Sequence, residues 1–335
     1  MIDVVGLGGG GGSIVSLAGE RLQVGPESAG AVPGPACYDL GNSVPTVSDA
    51  NAVLGLISPD NFLGGRRRLN IDRASQSIDE TIAQPLGLDV DDAALKIRSV
   101  LARSLAGAIR AEAEKRSFPL EGAVMFAYGG GGPLHAAEIA AASGVSVFYM
   151  FPESPVFSAA GSSTMDVQHF YESRVQAMDG ENLSQALTRV AAELNSRAHR
   201  DMRGEGFEPS TAKLRFMLDS ADGSQMAFDD GQLDSAAAEA ASGGLLRLMA
   251  TTEMAGQDDS AGMISPPASQ AAGVEREIGW DDGNKTTPVY SYSELAVGKR
   301  IDGPALVETA ETSCAIPRRW QAETDPYGAL KVWRD

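Results

Sequence analysis

Residues 6–57 read GLGGGGGSIVSLAGERLQVGPESAGAVPGPACYDLGNSVPTVSDANAVLGLI, and the glycine run that opens them decides how the rest of the chain is read. Gly6, Gly8 and Gly11 fit the GxGxxG spacing of a dinucleotide-binding turn, with the apolar residues 2–5 ahead of it like a strand. That fingerprint has to open a helix, because the pyrophosphate rests on helix N–H groups. The following VSLAGERLQVGPESAG has no helical period. A Walker loop fails as well, since no Gly-Lys-Ser/Thr follows the glycines. What remains is a glycine hairpin between strands. Its consecutive N–H groups and the Ser13 hydroxyl either wrap an anion or simply close a tight turn.

A second glycine run lies in GAVMFAYGGGGPLHAAEIAAASGVSVFYMF, residues 122–151, which reads as strand, glycine turn, helix, strand. Pro133 suits a first helical position, and the helix start offers free N–H groups to a ligand. His135 falls in the first turn, where it either contacts a nucleotide or packs. Two glycine loops, each at a strand end, point to a nucleotide held between two lobes.

Elsewhere the periodicity predicts a short helix in PTVSDANAVLGLI, capped by Ser48 or Asp49, with Ala52, Val53, Leu56 and Ile57 on its apolar side. A helix is expected over 71–85 and a long one over 89–116, with a stripe of Ala94, Ile97, Leu101, Leu105, Ala108 and Ile109. Near residue 165 the texture changes. An amphipathic helix in 181–207 is followed from 212 by short alternating runs such as KLRFML, GPALVET and GALKVW. The polar, proline-bearing 255–275 reads as a long mobile loop, a linker or a partner contact. The expected organisation is an α/β domain over 1–166 and a smaller, mainly β (α+β) domain over 167–335.

Composition narrows the function. The chain has 335 residues, 43% apolar and 21% charged, with a net charge of −18, which opposes nucleic acid and anionic membranes. Arg66, Arg67 and Arg68 form the one basic run, either a surface or partner contact or an anion contact. Cys37 and Cys314, far apart, suit a reducing compartment without a disulfide framework. His135, His169 and His199 are the three histidines, and no CxxC or HExxH spacing occurs, so no structural zinc site is expected. No stretch of 18 apolar residues or signal-peptide pattern appears, and a cytoplasmic protein is expected.

Residues 6–57 resemble the first signature of the hydantoinase A family, and MFAYGGGGPLHAAEIA resembles its second. FPESPVFSAAGSSTMD resembles the segment after it, and DMRGEGF and GPALVETAETSCAIP resemble its C-terminal domain. The family includes ATP-dependent N-methylhydantoinase, 5-oxoprolinase and the ATP-hydrolysing subunits of acetone and acetophenone carboxylases. The resemblance implies part of an actin/hexokinase/Hsp70-like nucleotide-binding module. It sets Gly10, Gly11, Gly12 and Ser13 against ATP phosphates, and Gly129, Gly130 and Gly132 beside the adenosine; His135 stays a candidate nucleotide contact from its place in the first turn. Asp49 and Asn51 match the motif. For Asp49 three roles stay open: helix cap, ligand of Mg²⁺ or water, or internal hydrogen-bonding group. Cys37 also matches and reads as a buried small residue. No residue is identified as catalytic.

Full-length family members carry an Asp-Gly-Thr phosphate loop ahead of the glycine loop, and no DxGxT occurs in these 335 residues. The resemblance therefore implies half of a split enzyme or a truncated relative, with the first loop and some Mg²⁺ ligands on a partner subunit. DMRGEGF leans toward the ketone carboxylases, where the small epsilon subunit of acetophenone carboxylase is one candidate counterpart. The implied substrate is a small ketone or a cyclic amide; a non-catalytic subunit of such a complex is the third reading.

Overall fold

The computed structural model describes residues 9–220, 223–229, 242–254 and 273–334. Gly6, Gly8, the apolar residues before them and most of the expected 255–275 loop lie outside the described residues. The described residues fall into two compact units. One takes the chain up to Ala160 and again from Ser260; the other is Gly161–Asp259.

In the first unit, β1 (Ser13–Ala18) and β2 (Arg21–Ser28) pair antiparallel around a turn at Gly19, φ +64°, so the glycine run opens onto a strand and not a helix. α1 (Val47–Val53) is capped by Thr46, whose hydroxyl accepts the Asp49 amide while the Asp49 carboxylate accepts the Thr46 amide. The cap thus precedes the expected Ser48 or Asp49. The helix also stops before Leu56 and Ile57, because Gly55 turns left-handed at φ +72°. α2 (Ile71–Ile78) runs through a π turn at Asp79–Ala83 into α3 (Gln84–Leu86) and ends at Gly87, φ +65°.

α4 (Val90–Lys115) is capped by Asp89, with Asp91 and Asp92 at its positive end and Lys115 at its negative end. Ala94, Ile97 and Leu101 are buried as expected, whereas Leu105, Ala108 and Ile109 are only half-buried and Arg98 is buried among the apolar residues. β3 (Val124–Ala127), α5 (Gly132–Ser143) and β4 (Val147–Met150) form the expected crossover, with β3 and β4 parallel from Val124↔Val147 to Ala127↔Met150. α6 (Phe157–Ser163) follows.

The second unit is α+β. Strands β5 (Val167–Arg174), β6 (Lys213–Asp219), β7 (Gln225–Asp229) and β8 (Leu245–Thr252) form an antiparallel sheet in the order β5-β8-β6-β7. In α7 (Leu183–Gly204), Leu187, Val190, Leu194 and Met202 recur at helical spacing and pack with Phe216, Leu218, Leu246 and Leu248 of the sheet.

The chain then returns to the first unit through β9 (Val274–Trp280), β10 (Gly283–Ser291), β11 (Arg300–Asp302), β12 (Ala305–Glu308), β13 (Ser313–Ile316), β14 (Trp320–Thr324) and β15 (Leu330–Arg334). Two sheets result, ordered β13-β12-β10-β9 and β11-β14-β15-β4-β3. The strand pairing therefore divides the chain differently from the expected boundary at 166/167. Leu330 and Val332 of β15 pair with Met150 and Phe148 of β4, and these four buried side chains need each other to leave water. The smaller α+β unit is an insertion, and the closing strands complete the sheet that the crossover began.

Candidate functional site

The two glycine loops meet at one cleft of about 300 Å³ in the first unit. Gly11 and Gly12 line it on one side, Gly130, Gly131 and Leu134 on the other, and the turn from Glu308 to Ser313 closes a third.

The first loop is held by its own backbone. Ser48 N–H donates to the Gly11 carbonyl at 2.8 Å and Ala29 N–H to the Gly12 carbonyl at 2.9 Å. The Gly10 amide donates to Ser13 Oγ at 2.9 Å, and the Ser13 amide donates back to the Gly10 carbonyl at 3.0 Å. Gly10 and Ser13 thus close the turn on each other and do not line the cleft. The amides of Gly11 and Gly12 meet no acceptor among the described residues. Both positions are crowded: a Cβ on Gly11 would sit 2.7 Å from Ser48 Oγ, and one on Gly12 2.9 Å from Ser28 Oγ, so each serine would have to turn away.

The second loop faces the first, for a Cβ on Gly131 would lie 3.9 Å from the Gly11 amide nitrogen. Its carbonyls turn the other way. Thr312 Oγ1 donates to the Gly130 carbonyl at 3.0 Å and reaches the Gly129 carbonyl at 3.4 Å. The Gly129 amide donates to the Ser154 carbonyl at 2.6 Å, and Gly132 already belongs to α5, with Pro133 one place after it. The start of the twelve-residue helix α5 therefore opens on the cleft, with its orphan amides and positive dipole end. Of the expected contacts, Gly11, Gly12 and Gly130 line the cleft; Gly10, Ser13, Gly129, Gly132, His135 and Asp49 do not.

Asp49 resolves as an internal hydrogen-bonding group. It is fully buried and accepts from the amides of Ala36 (3.1 Å), Cys37 (2.7 Å) and Thr46 (2.8 Å) and from the Thr46 hydroxyl (2.8 Å). It pins the 36–38 turn to α1 and does not line the cleft. Cys37 is buried beside it, and burial together with the Asp49 charge pushes its thiol up, away from nucleophilic behaviour.

His135 lies under the cleft within a buried polar chain. Arg98, only 2% exposed, donates to Asn51 Oδ1, to the Leu134 carbonyl at 3.2 Å and to Glu138 at 2.6 Å. With Asn51 Oδ1 occupied by the guanidinium, the Asn51 amide donates through Nδ2 to His135 Nε2 at 3.1 Å. That geometry requires a neutral imidazole with its proton on Nδ1, an atom with no partner among the described residues. Burial, and then the Arg98 charge, hold the His135 pKa well below the ordinary 6.5. Asn51 lines the cleft, so the chain Glu138–Arg98–Asn51–His135 ties α4, α5 and α1 beneath both loops. Helical spacing hides Arg98, whose neighbours at 97 and 101 are apolar and whose partners are 36 to 47 residues away.

The arginine run is not one anion cradle. Arg68 pairs with Asp60 at 2.9 Å, Arg67 lies 4.7 Å over the Tyr38 ring, and Arg66 donates to the Leu63 carbonyl at 2.9 Å. In the other unit, His169 Nε2 lies 2.9 Å from Glu205, a pairing that sequence spacing did not reveal. No group of three or more His, Cys, Asp or Glu side chains that could hold a metal occurs among the described residues, and Glu308 at the cleft is held by Arg276 at 2.7 and 3.1 Å. No helix among them is long and apolar enough to cross a membrane. The arrangement can bind an anion: bare backbone, unpaired amides and a helix start converge on one space.

Comparison with known proteins shows the family and the fold. Residues 1–170 match the hydantoinase/oxoprolinase family and residues 249–332 its C-terminal domain. The gamma subunit of acetophenone carboxylase from Aromatoleum aromaticum is 34% identical over 98% of this chain and 50% of its own. The alpha subunit of caprolactamase from Pseudomonas jessenii is 28% identical over 99% and 52%. The chain spans about half the length of the curated relatives it matches. Among solved structures, a nucleotide-free acetone carboxylase superposes with a TM-score of 0.82 at 20% identity, covering 97% of this chain and 52% of that one. The ATP-dependent caprolactamase from Pseudomonas jessenii gives 0.68 at 27%, covering 99% and 53%. The fold is thus the α/β, actin/hexokinase/Hsp70-like type, of which this chain carries a part.

Proposed function

Because the chain belongs to the hydantoinase/oxoprolinase family, we propose that its two facing glycine loops hold the phosphates of ATP and that it is one subunit of an ATP-dependent carboxylase of the ketone type. The observation that carries this is the approach of Gly131 to the unpaired Gly11 amide, beside the start of α5. The 34% identity with the acetophenone carboxylase subunit supports the ketone branch. In that chemistry ATP passes its γ-phosphoryl group to bicarbonate or an enolate oxygen, leaving ADP, and the carboxyl group then joins the enolate carbon as inorganic phosphate leaves. The Gly11 and Gly12 amides and the first turn of α5 offset the charge on the phosphates, and the Glu138–Arg98–Asn51–His135 chain keeps the two loops in register.

The facing jaw, with an aspartate-bearing phosphate loop and the protein ligands of Mg²⁺, is proposed to come from a partner subunit. The lining carboxylates here are Glu308, already paired with Arg276, and Glu311, so no step is assigned to the ion. Two buried free cysteines fit a cytoplasmic setting. A second reading, opening of a cyclic amide, is favoured by the caprolactamase alpha subunit, which matches 99% of this chain. The third reading is a non-catalytic subunit of such a complex.

The test is ATP hydrolysis by the chain mixed with its partner subunit. Gly11→Val puts carbon against Ser48 Oγ and into the cleft, which displaces both loop amides from the phosphates. Without those two charge-assisted hydrogen bonds, nucleotide affinity should fall on the order of a hundredfold. Gly10→Ala, where a Cβ meets nothing within 4 Å, should leave it unchanged. Equal hydrolysis with Gly11→Val would instead mark a non-catalytic subunit.

A further inference from the structure

The sheet β11-β14-β15-β4-β3 ends at β3 among the described residues, and α5 covers one of its faces. Ala127, Phe148 and Met150 lie on that side, buried with Ala136, Ala137 and Ala140 of the helix. Alternation along the strands, with the register Val124↔Val147 and Phe126↔Tyr149, sets those four side chains on the opposite face. There Val124 is 50% and Phe126 54% exposed. The Phe126 ring meets Tyr149 at 6.3 Å and Phe151 at 5.0 Å; Phe151 stacks on Phe157 at 5.1 Å, and Phe157 on Tyr128 at 5.2 Å. Five aromatic rings run together, and no charged residue occurs in 123–128 or 147–152 of a chain that is 21% charged. A contiguous exposed apolar patch of this kind marks an interaction surface.

The patch is fixed in shape and tied to the second glycine loop through Ser154, which is fully buried. Its hydroxyl donates to the Ala127 carbonyl at 2.8 Å and accepts the Phe151 amide at 2.9 Å, while its carbonyl accepts the Gly129 amide at 2.6 Å. One serine thus holds the Phe151 ring, the end of β3 and the loop together. Whatever sits on the patch lies beside the strand that feeds the loop. Two facts choose the occupant. The acetophenone carboxylase subunit matches 98% of this chain but 50% of itself, so it carries about as much polypeptide again as the part that matches. A second copy of this chain would meet the first with a net charge of −18 on each, which opposes pairing.

We propose that this aromatic face is where the partner subunit docks, the one that brings the aspartate-bearing phosphate loop, through an uncharged apolar surface of its own. The proposal rests on the reading of the glycine loops as half of an ATP site. Seated on Val124 and Phe126, the partner buries the five-ring patch and stands next to the loop whose phosphates it helps to hold.

The full chain is mixed with the subunit of its complex that carries the Asp-Gly-Thr loop, and association is followed by sedimentation at low and high salt. The dye 8-anilinonaphthalene-1-sulfonate, which fluoresces on exposed apolar surface, reports the patch itself. The parent chain should light the dye, bind the partner equally well at either salt, and release the dye as it does so. Val124→Glu with Phe126→Glu puts two charges where docking excludes water, and should lose most of the dye signal and weaken association at least about a hundredfold. Both side chains already meet water, so urea unfolding of this variant should match the parent. Phe170→Glu, at an exposed ring of the other unit, should leave association unchanged. The proposal is overturned if the parent does not assemble, if the double variant assembles as the parent does, if the dye stays bound in the assembly, or if Phe170→Glu costs as much. A parent dimer that the double variant dissolves would give the face to a second copy and overturn it too. Assembly that depends on Val124 and Phe126, in a mixture that binds no ATP analogue, would instead sink the phosphate-cleft reading and leave the docking face assigned.

Discussion

The two units bury different kinds of interior. Between Gly161 and Asp259 the described core is apolar, built from residues such as Leu187, Leu194, Phe216 and Leu248, and its buried polar side chains are Ser220 and Thr252. The first unit buries Asp49, Asn51, Arg98 and His135, all at most 4% exposed. Burying such groups is costly unless every charge and dipole is paired. A core needs none of them merely to cohere, as the second unit demonstrates. Their concentration beneath the two glycine loops, on α1, α4 and α5, marks where the fold gives up cohesion to hold backbone in a set position.

The comparison breaks most easily at Asp49. Asp49→Ala strips the acceptor from three buried amides and one hydroxyl, and each unsatisfied donor costs about 1–3 kcal/mol. Urea unfolding should register a loss of about 4 kcal/mol or more. In the second unit only the removal of packed volume should cost as much, as in Leu194→Ala at about 2–5 kcal/mol. A cost below about 1 kcal/mol for Asp49→Ala would mean that the polar interior is not what holds the 36–38 turn.

This contrast also explains what could be read in the sequence. The crossover β3-α5-β4 was legible because its periodicity changes at glycine and proline, and α7 because its apolar residues recur on one side. The glycine runs alone leave open whether each wraps an anion or only turns, and it is the resemblance that sets Gly11, Gly12 and Gly130 against a nucleotide. Asn51 was singled out only by resemblance, and Arg98 not at all. Its burial depends on Asn51 and Glu138, 47 and 40 residues away, and a local pattern cannot register a counter-charge supplied by another helix. The return of β15 to β4 was hidden likewise: both strands read as strands, but only the register Leu330↔Met150 joins them. Alternating strands at the end of a chain look the same whether they close their own domain or an earlier one.

His135 offers a subtler test of the polar interior. Burial, reinforced by the Arg98 charge, keeps its folded pKa well below 6.5, whereas in the unfolded chain it titrates near 6.5. Below about pH 6.5 the unfolded chain therefore binds more protons than the folded one, and stability falls as the pH falls. The slope reaches at most about 1.4 kcal/mol per pH unit until the folded pKa is met, and this contribution is flat above neutral pH. His135→Gln should remove it, read from urea unfolding at about pH 7 and about pH 5.5. The same slope in the variant would place the titrating group elsewhere and cost the buried chain its neutral histidine.

The smallest effect sharpens the comparison because the local chemistry is matched. Both units start a helix with a capping box, Thr46 with Asp49 at α1 and Asn182 with Gln185 at α7. At α7 the Asn182 side chain accepts the Gln185 amide at 2.9 Å, and the Gln185 side chain accepts the Asn182 amide at 3.0 Å, both exposed. Asn182→Ala returns those groups to water, so it should cost about 1 kcal/mol, the ordinary value for an N-cap. The same motif at α1 is closed off from water and shared with two further amides, so the loss at Asp49 should be several times larger. Burial, not the motif, would then set the cost. Equal losses at the two helices would reverse that ordering and leave the polar interior of the first unit as an accident of packing.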